Sequence, residues 1–280
     1  MPRLEKPPDL QAPDLKDIRD EAQRLVTVFS RLIQAQSVEG NIETGQFKEL
    51  SEATIKASML SEEFDLAIAQ EMEGSPQERI AMLARVQTIF DETLRSVIVA
   101  LDHREVGAED HSERCVTYAR VIAKETGLSE EEISHIARGV YLHDIGKLMV
   151  PDSILKKPSR LDPDEWVVVR DHSKTGWSLL EGIEFLDTAW RVPLEYHEAY
   201  WGGGYPEGLT DDEIYVGARI MTVVDAFDAI TSWRPYRDSP PPGVARKKLP
   251  FESGELLSPD VCEAFLASYE ELCRLGGMDP

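Results

Sequence analysis

Apolar residues in this chain recur at steps of three and four, and no alternating strand pattern with a hairpin turn stands out. That spacing lays side chains along one face of a helix, whereas a half-buried strand needs strict alternation. Leu15, Ile18, Ala22, Leu25, Phe29 and Leu32 make one such face, with Asp14 placed to cap it. Phe47, Leu50, Thr54 and Ala57 make a second, after breaks at Gly40-Asn41 and Gly45. Gly74-Ser75-Pro76 marks another start, with serine as cap and proline as first helical residue. Ser129 with Glu132, and Asp162 with Glu165, have the spacing of capping boxes. The first opens a helix through Ile133, Ile136 and Val140, the second one through Trp166, Val169 and His172. Pro193 begins a short segment holding His197, and residues 214–230 form an amphipathic stretch carrying Asp225. The one glycine-rich loop is Trp201-Gly202-Gly203-Gly204-Tyr205-Pro206. The expected fold class is all-α.

Between residues 80 and 101 the apolar positions Ile80, Leu83, Phe90, Leu94, Val97 and Leu101, with Gln87 among them, make a heptad-like seam. Such a seam packs on its own protein or pairs with a second copy of the chain, so a homodimer through this helix is one expectation. At 280 residues the chain fits one large domain or two small ones. Lys plus Arg number 30 against 52 Asp plus Glu, a net charge of −22. That balance excludes a general binder of nucleic acid polymers, which depends on cations meeting phosphate, and docking on an anionic membrane surface. It leaves room for a small anionic substrate where cations are concentrated at one site. Cys115, Cys262 and Cys273 form no CxxC pair and read as reduced thiols. Residues 1–13 read as a flexible, proline-rich lead-in with no secretory signal. No apolar run reaches the ~18–20 residues of a bilayer span. The expected location is the cytoplasm.

The chemistry sits in the histidines, of which there are six: His103, His111, His135, His143, His172 and His197. His143 and Asp144 stand side by side in Leu-His-Asp-Ile-Gly-Lys at the end of an apolar helix. Neighbours on a helix point about 100° apart, so the pair converges on one ion only where a helix turn or end aims both inward. Gly146 suits such an end, and Lys147 places an ammonium close by. Imidazole and carboxylate together suit iron, manganese or zinc, and a bridging carboxylate suits two ions.

Six blocks then resemble, in order and spacing, the HD-GYP phosphodiesterases of the HD metallohydrolase superfamily. They are His111-Ser112-Glu113-Arg114, His143-Asp144-Ile145-Gly146-Lys147, and Pro151 to Pro158. His172 with Gly176, His197-Glu198 with Gly204-Tyr205-Pro206, and Val224 to Ala229 with Arg234-Pro235-Tyr236-Arg237 complete the set. The resemblance runs from about residue 100 to 275, and it implies an HD-domain helical bundle over 101–280 behind an N-terminal helical extension. Residues 14–100 resemble the regulatory or dimerising segments that precede such domains, with a signalling protein as a further partner. It implies two divalent metal ions, iron or manganese, and hydrolysis of cyclic di-GMP to pGpG, in some members onward to GMP, through a metal-bridging hydroxide. Carried over residue by residue, His111, His143, Asp144 and Asp225 would hold the first metal. Asp144 would bridge to a second, bound also by His172 and His197. Lys147 would meet the phosphate or leaving oxygen, Arg234 and Arg237 would grip phosphates, and Tyr205 would lie near a guanine. His103, His135 and Asp228 fall outside the ligand set, as surface or supporting residues.

The chain departs from the family pattern at four places. Tyr196 stands where a first of two histidines is usual, which removes an imidazole from the second metal position. Gly107 stands where members with three metals carry a glutamate. Trp201 and Gly203 replace the usual residues around the glycine loop, which should make that loop more mobile and its entrance bulkier. These changes fit a second reading, an impaired domain acting as a cyclic di-GMP sensor or interaction module. A nucleotide hydrolase of the wider superfamily is a third, against which the Gly-Tyr-Pro and Arg-Pro-Tyr-Arg blocks speak.

Overall fold

The computed structural model describes residues 110–181, 186, 188–232 and 240–280, with scattered positions between 20 and 108. Among the described residues the only strand-like pairing is an isolated bridge between Ser253 and Leu257, and the all-α expectation holds. The continuous part comprises α1 (His111–Glu125), α2 (Glu130–Tyr141), α3 (Asp152–Leu155), α4 (Pro163–Arg170) and α5 (His172–Leu180). They are followed by α6 (Arg191–Glu195), α7 (Val216–Thr231), α8 (Gly243–Phe251) and α9 (Pro259–Leu275). A 3-10 turn, Ile145–Met149, joins α2 to α3. None of the helices described is long and apolar enough to cross a membrane.

Both capping boxes form. Ser129 Oγ accepts the Glu132 N–H, and the Glu132 carboxylate accepts the Ser129 N–H at 2.8 Å. Asp162 and Glu165 repeat the arrangement at the start of α4, with Pro163 in the first turn. Each box satisfies orphan donors that a helix start otherwise leaves to water. α1 is capped differently, from a distance. The buried Asp102 carboxylate accepts the Ser112 N–H at 3.0 Å and the Ser112 hydroxyl at 2.9 Å. Pro193 sits inside α6 rather than opening it, and Tyr196 and His197 follow that helix's end.

The core lies where α1, α7 and α9 meet. Tyr118, Phe227, Phe265 and Tyr269 pack ring edge to ring face in a continuous chain, with centroids 5.2, 5.4 and 6.0 Å apart. Around them Ile122, Val223, Val224, Val261 and Leu272 are buried at helical spacing, each contributing about 1.5–3 kcal/mol. α2 joins through Ile133, Ile136 and Val140. From the 80–101 seam, Leu94 and Leu101 are buried within the single chain, as is Ile98. The other seam positions lie outside the described residues, as do the lead-in 1–13, Asp14, His103 and Gly107.

The result is a frame of long helices, with His111, His143, His172 and His197 at or just beyond helix ends around it. Ser129→Ala removes the side-chain half of a cap and should cost about 1 kcal/mol. Scanning calorimetry should show a melting temperature lower by roughly 2–4 °C; an unchanged value would mean the box contributes nothing net.

Candidate metal centre

α2 ends at Tyr141, and the chain turns before the 3-10 segment begins, so His143 and Asp144 leave the helical screw and face inward together. Gly146 serves this turn by its lack of a side chain rather than as a helix stop. A Cβ there would lie 1.9 Å from the His172 carbonyl oxygen and 2.6 Å from the Gly176 nitrogen. Only glycine lets the Asp144 turn sit against α5.

Each inward imidazole is fixed from behind. His111, first residue of α1, places Nδ1 2.7 Å from Asp228 Oδ2. His143 Nδ1 lies 2.7 Å from the Val140 carbonyl, and His172 Nδ1 contacts the Val169 carbonyl. Acceptors at all three Nδ1 positions assign the proton there and turn the Nε2 lone pairs inward. His111 Nε2 and His143 Nε2 then face each other at 3.3 Å. Two lone pairs at that distance need positive charge between them, either a proton on His143 or a metal ion. Asp144 Oδ2 is 3.2 Å from His143 Nε2, and Asp225 Oδ1 is 3.7 Å from His111 Nε2. His111, His143 and Asp144, all buried, offer ligand atoms within 4.8 Å of one another. Two imidazoles and carboxylate oxygen fit iron, manganese or zinc, so this donor set fits the divalent ion that the sequence blocks imply.

Electrostatics point the same way. Burial pulls the His143 pKa down, but the Asp144 and Asp225 carboxylates outweigh it and push it up to about 9. Burial raises Asp144, yet His143, Lys147 and His172 hold it well below the usual carboxylate range. The cluster is short of positive charge.

The second half of the site is assembled differently. The Tyr196 hydroxyl donates to Asp144 Oδ1 at 2.9 Å and also lies 2.9 Å from His172 Nε2. The phenolic proton goes to Asp144, and burial lifts the Tyr196 pKa well above its ordinary value. His197 was expected to converge with His172 on Asp144. Instead its ring stacks on Tyr205, centroids 4.6 Å apart, and lies 5.2 Å from the His172 ring. Among the described residues, neither His172 nor His197 joins a converging group of three. Burial, then the His172 imidazole beside it, bring the His197 pKa down to about 3, so its imidazole is neutral. Lys147, expected at a phosphate, donates to Asp144 Oδ2 at 2.7 Å.

The glycine loop is anchored, which corrects the expectation of mobility. Gly202 and Gly203 adopt φ of 105° and 79°, a region that favours glycine, so the turn requires them. A Cβ at Gly204 would lie 2.3 Å from the Ala199 nitrogen. The buried Glu198 carboxylate accepts the N–H groups of Glu207, Gly208 and Leu209 at 2.7–3.1 Å. Tyr205 is held over His197 as a result. The Trp201 indole points away into solvent, with the residue 80% exposed. Arg234 and Arg237 lie outside the described residues. His135 is half-buried on α2, in none of these contacts.

The HD domain family matches this chain over residues 95–261. The chain belongs to the HD-domain family. The HD-GYP membership implied by the six blocks is borne out by its likenesses. It is 34% identical over 233 residues to a cyclic di-GMP phosphodiesterase response regulator of Xanthomonas campestris, covering 81% of this chain and 58% of that protein. It is 36% identical over 183 residues to a cyclic di-GMP phosphodiesterase of Thermotoga maritima, covering 65% and 50%. To 3′3′-cGAMP-specific phosphodiesterase 2 of Vibrio cholerae it is 29% identical over 204 residues, covering 72% and 39%. The chain thus spans about half the length of these relatives.

Two residues of this HD domain outside the quoted ligand set support it directly. Arg114 forks onto Asp228, Nε to Oδ1 at 2.6 Å and a terminal nitrogen to Oδ2 at 3.0 Å, and Asp228 in turn holds His111. The signal was helical spacing: Arg114 lies three residues after His111, and Asp228 three after Asp225, so each shares a helix face with a ligand candidate. Cys115 Sγ lies 3.6 Å from His111 Nδ1, but burial raises its pKa well above the ordinary range and keeps it a neutral thiol. Asp228→Asn should weaken the first ion by about 10–100-fold through loss of His111 orientation. A competitive chelator titration measures it, and unchanged affinity would remove Asp228 from the site.

Proposed function

We propose that this chain is a metal-dependent phosphodiesterase that hydrolyses cyclic di-GMP to pGpG. The observation that carries the reading is the cluster of inward Nε2 atoms around a shared, buried carboxylate, each imidazole fixed from behind by its own acceptor. A pure binding domain has no need of such a cage. Two of the relatives named above are cyclic di-GMP phosphodiesterases, which supports the substrate class.

In this reading His111, His143, Asp144 and Asp225 hold one divalent ion, iron or manganese. Asp144 is shared with a second ion held by His172 and His197, with Tyr196 at the position of a third ligand. Such ions neutralise the phosphodiester charge and make water a competent nucleophile near neutral pH. The protein's own part is to fix the donor set, exclude bulk water and present cations. Lys147, paired with Asp144 at 2.7 Å, serves the scissile phosphate or the leaving oxygen. Arg234 and Arg237 serve the phosphates, where a planar fork matches two oxygens. Residues 14–100 serve as a regulatory or dimerising segment, met by a signalling protein in the cytoplasm.

Three outcomes check this. Anaerobic incubation of iron- or manganese-loaded protein with cyclic di-GMP should yield pGpG, and Asp144→Ala should lower turnover by at least ~1,000-fold. Substrate left intact by folded protein in every metal condition would make this a binding domain instead. Stepwise metal titration followed by calorimetry should show the second ion weaker than the first, with the gap closing by about tenfold or more in Tyr196→His; equal affinities in the unaltered protein would contradict the assignment of Tyr196. Sedimentation that finds a monomer at micromolar concentration would remove the homodimer.

A further inference from the structure

The rings around Asp144 continue outward as a column. His172 meets His197 at 5.2 Å, His197 stacks on Tyr205 at 4.6 Å, and the Arg170 guanidinium lies over the outer face of Tyr205 at 5.1 Å. Arg170 also lies 6.0 Å from the Trp166 ring, one turn earlier on α4. The guanidinium thus sits between two aromatic rings at the mouth of the metal centre. α4 carries no fully buried residue, and Trp166 is 48% exposed. An indole left half in water on a helix without a fully buried residue contributes little to folding. Among the described residues no carboxylate pairs with Arg170, in a chain that carries 52 acidic residues against 30 basic ones. Contact with the Tyr205 and Trp166 rings leaves the guanidinium its in-plane N–H fork for the edge of a nucleobase, while the half-exposed Trp166 ring offers a face for stacking.

We propose that Trp166, Arg170 and Tyr205 form the seat of one purine base of a cyclic dinucleotide, and that Arg170 selects guanine there. Guanine offers O6 and N7 as two adjacent acceptors, which a guanidinium takes together. Adenine offers N7 beside an amino donor, which meets the guanidinium donor to donor. One such seat reads one base. A ring with a single guanine, 3′3′-cGAMP, can place that base on it, and cyclic di-AMP cannot. The inference rests on the reading of this site as one for cyclic dinucleotides.

Equilibrium calorimetry of the full chain with cyclic di-GMP, 3′3′-cGAMP and cyclic di-AMP tests it without requiring turnover. The two guanine-containing rings should bind at least tenfold tighter than cyclic di-AMP. Arg170→Ala should shrink that preference to within about threefold, and Arg170→Lys should keep overall affinity but not the preference, because an ammonium lacks the fork. Trp166→Ala should weaken all three by a similar factor, about tenfold, since stacking does not distinguish purines. A preference unchanged in Arg170→Ala, or absent from the unaltered protein, would overturn the seat. Equal losses for all three nucleotides in both Arg170 variants would reduce Arg170 to a prop for Tyr205. Failure to hydrolyse a cyclic dinucleotide that binds with guanine preference would instead sink the phosphodiesterase reading and leave the seat standing.

Discussion

A carboxylate taken out of water costs several kcal/mol unless cations and donors replace its hydration, and Asp144 is such a carboxylate. Its two oxygens are met by His143 from the same turn, Lys147 from the 3-10 segment, Tyr196 from beyond α6, and His172 from α5 at the longer distance of 3.8 Å. These partners come from different parts of the chain, so the charge can be satisfied only when those parts are in register. That requirement explains backbone features with no chemistry of their own. Gly146 admits the His172 carbonyl, and the short α6 delivers Tyr196 at its end. The long helices α1, α7 and α9 supply the apolar frame, and the Asp144 charge sets how the shorter elements close around it.

Support is layered outward in the same currency of charge. Arg114 neutralises Asp228, Asp228 orients His111, and His111 faces the centre. Asp102 holds the first turn of α1, from which His111 projects. That contact ties Asp102 to the residue next to the first ligand candidate.

Much of this was legible in the sequence because the deciding signals are local. Capping boxes at Ser129 and Asp162 span four residues, and helical periodicity is visible within a dozen. The His-Asp pair and its order among six blocks were equally readable. What escaped depends on contacts far apart in the chain. Gly146 reads as a helix stop in one dimension, and only the passage of α5 against it shows that the missing Cβ matters. The glycine loop reads as mobile by composition, yet a single carboxylate, Glu198, collects the N–H groups of the three residues that follow the loop. Arg170 carries no signal at all in sequence, since an arginine at a helix end is ordinary; its meaning comes from the rings of Trp166 and Tyr205 that flank it.

Tyr196 shows how one substitution redistributes a site. An imidazole there would bring a lone pair on one nitrogen and direct its N–H away from the site from the other. A phenol brings a hydroxyl that must donate, and burial keeps its proton on. It therefore spends that proton on Asp144 Oδ1, the carboxylate oxygen that faces the second position, and leaves His172 Nε2 facing the phenolic oxygen without a hydrogen of its own to share. His197, with a phenol rather than an imidazole before it in the chain, stacks on Tyr205. The ring column that runs from His197 to Arg170 is thus coupled to the residue at 196. Were His197 to turn toward Asp144 as the proposed second ion would require, it would have to leave Tyr205, so the proposed ion and the ring column compete for one imidazole.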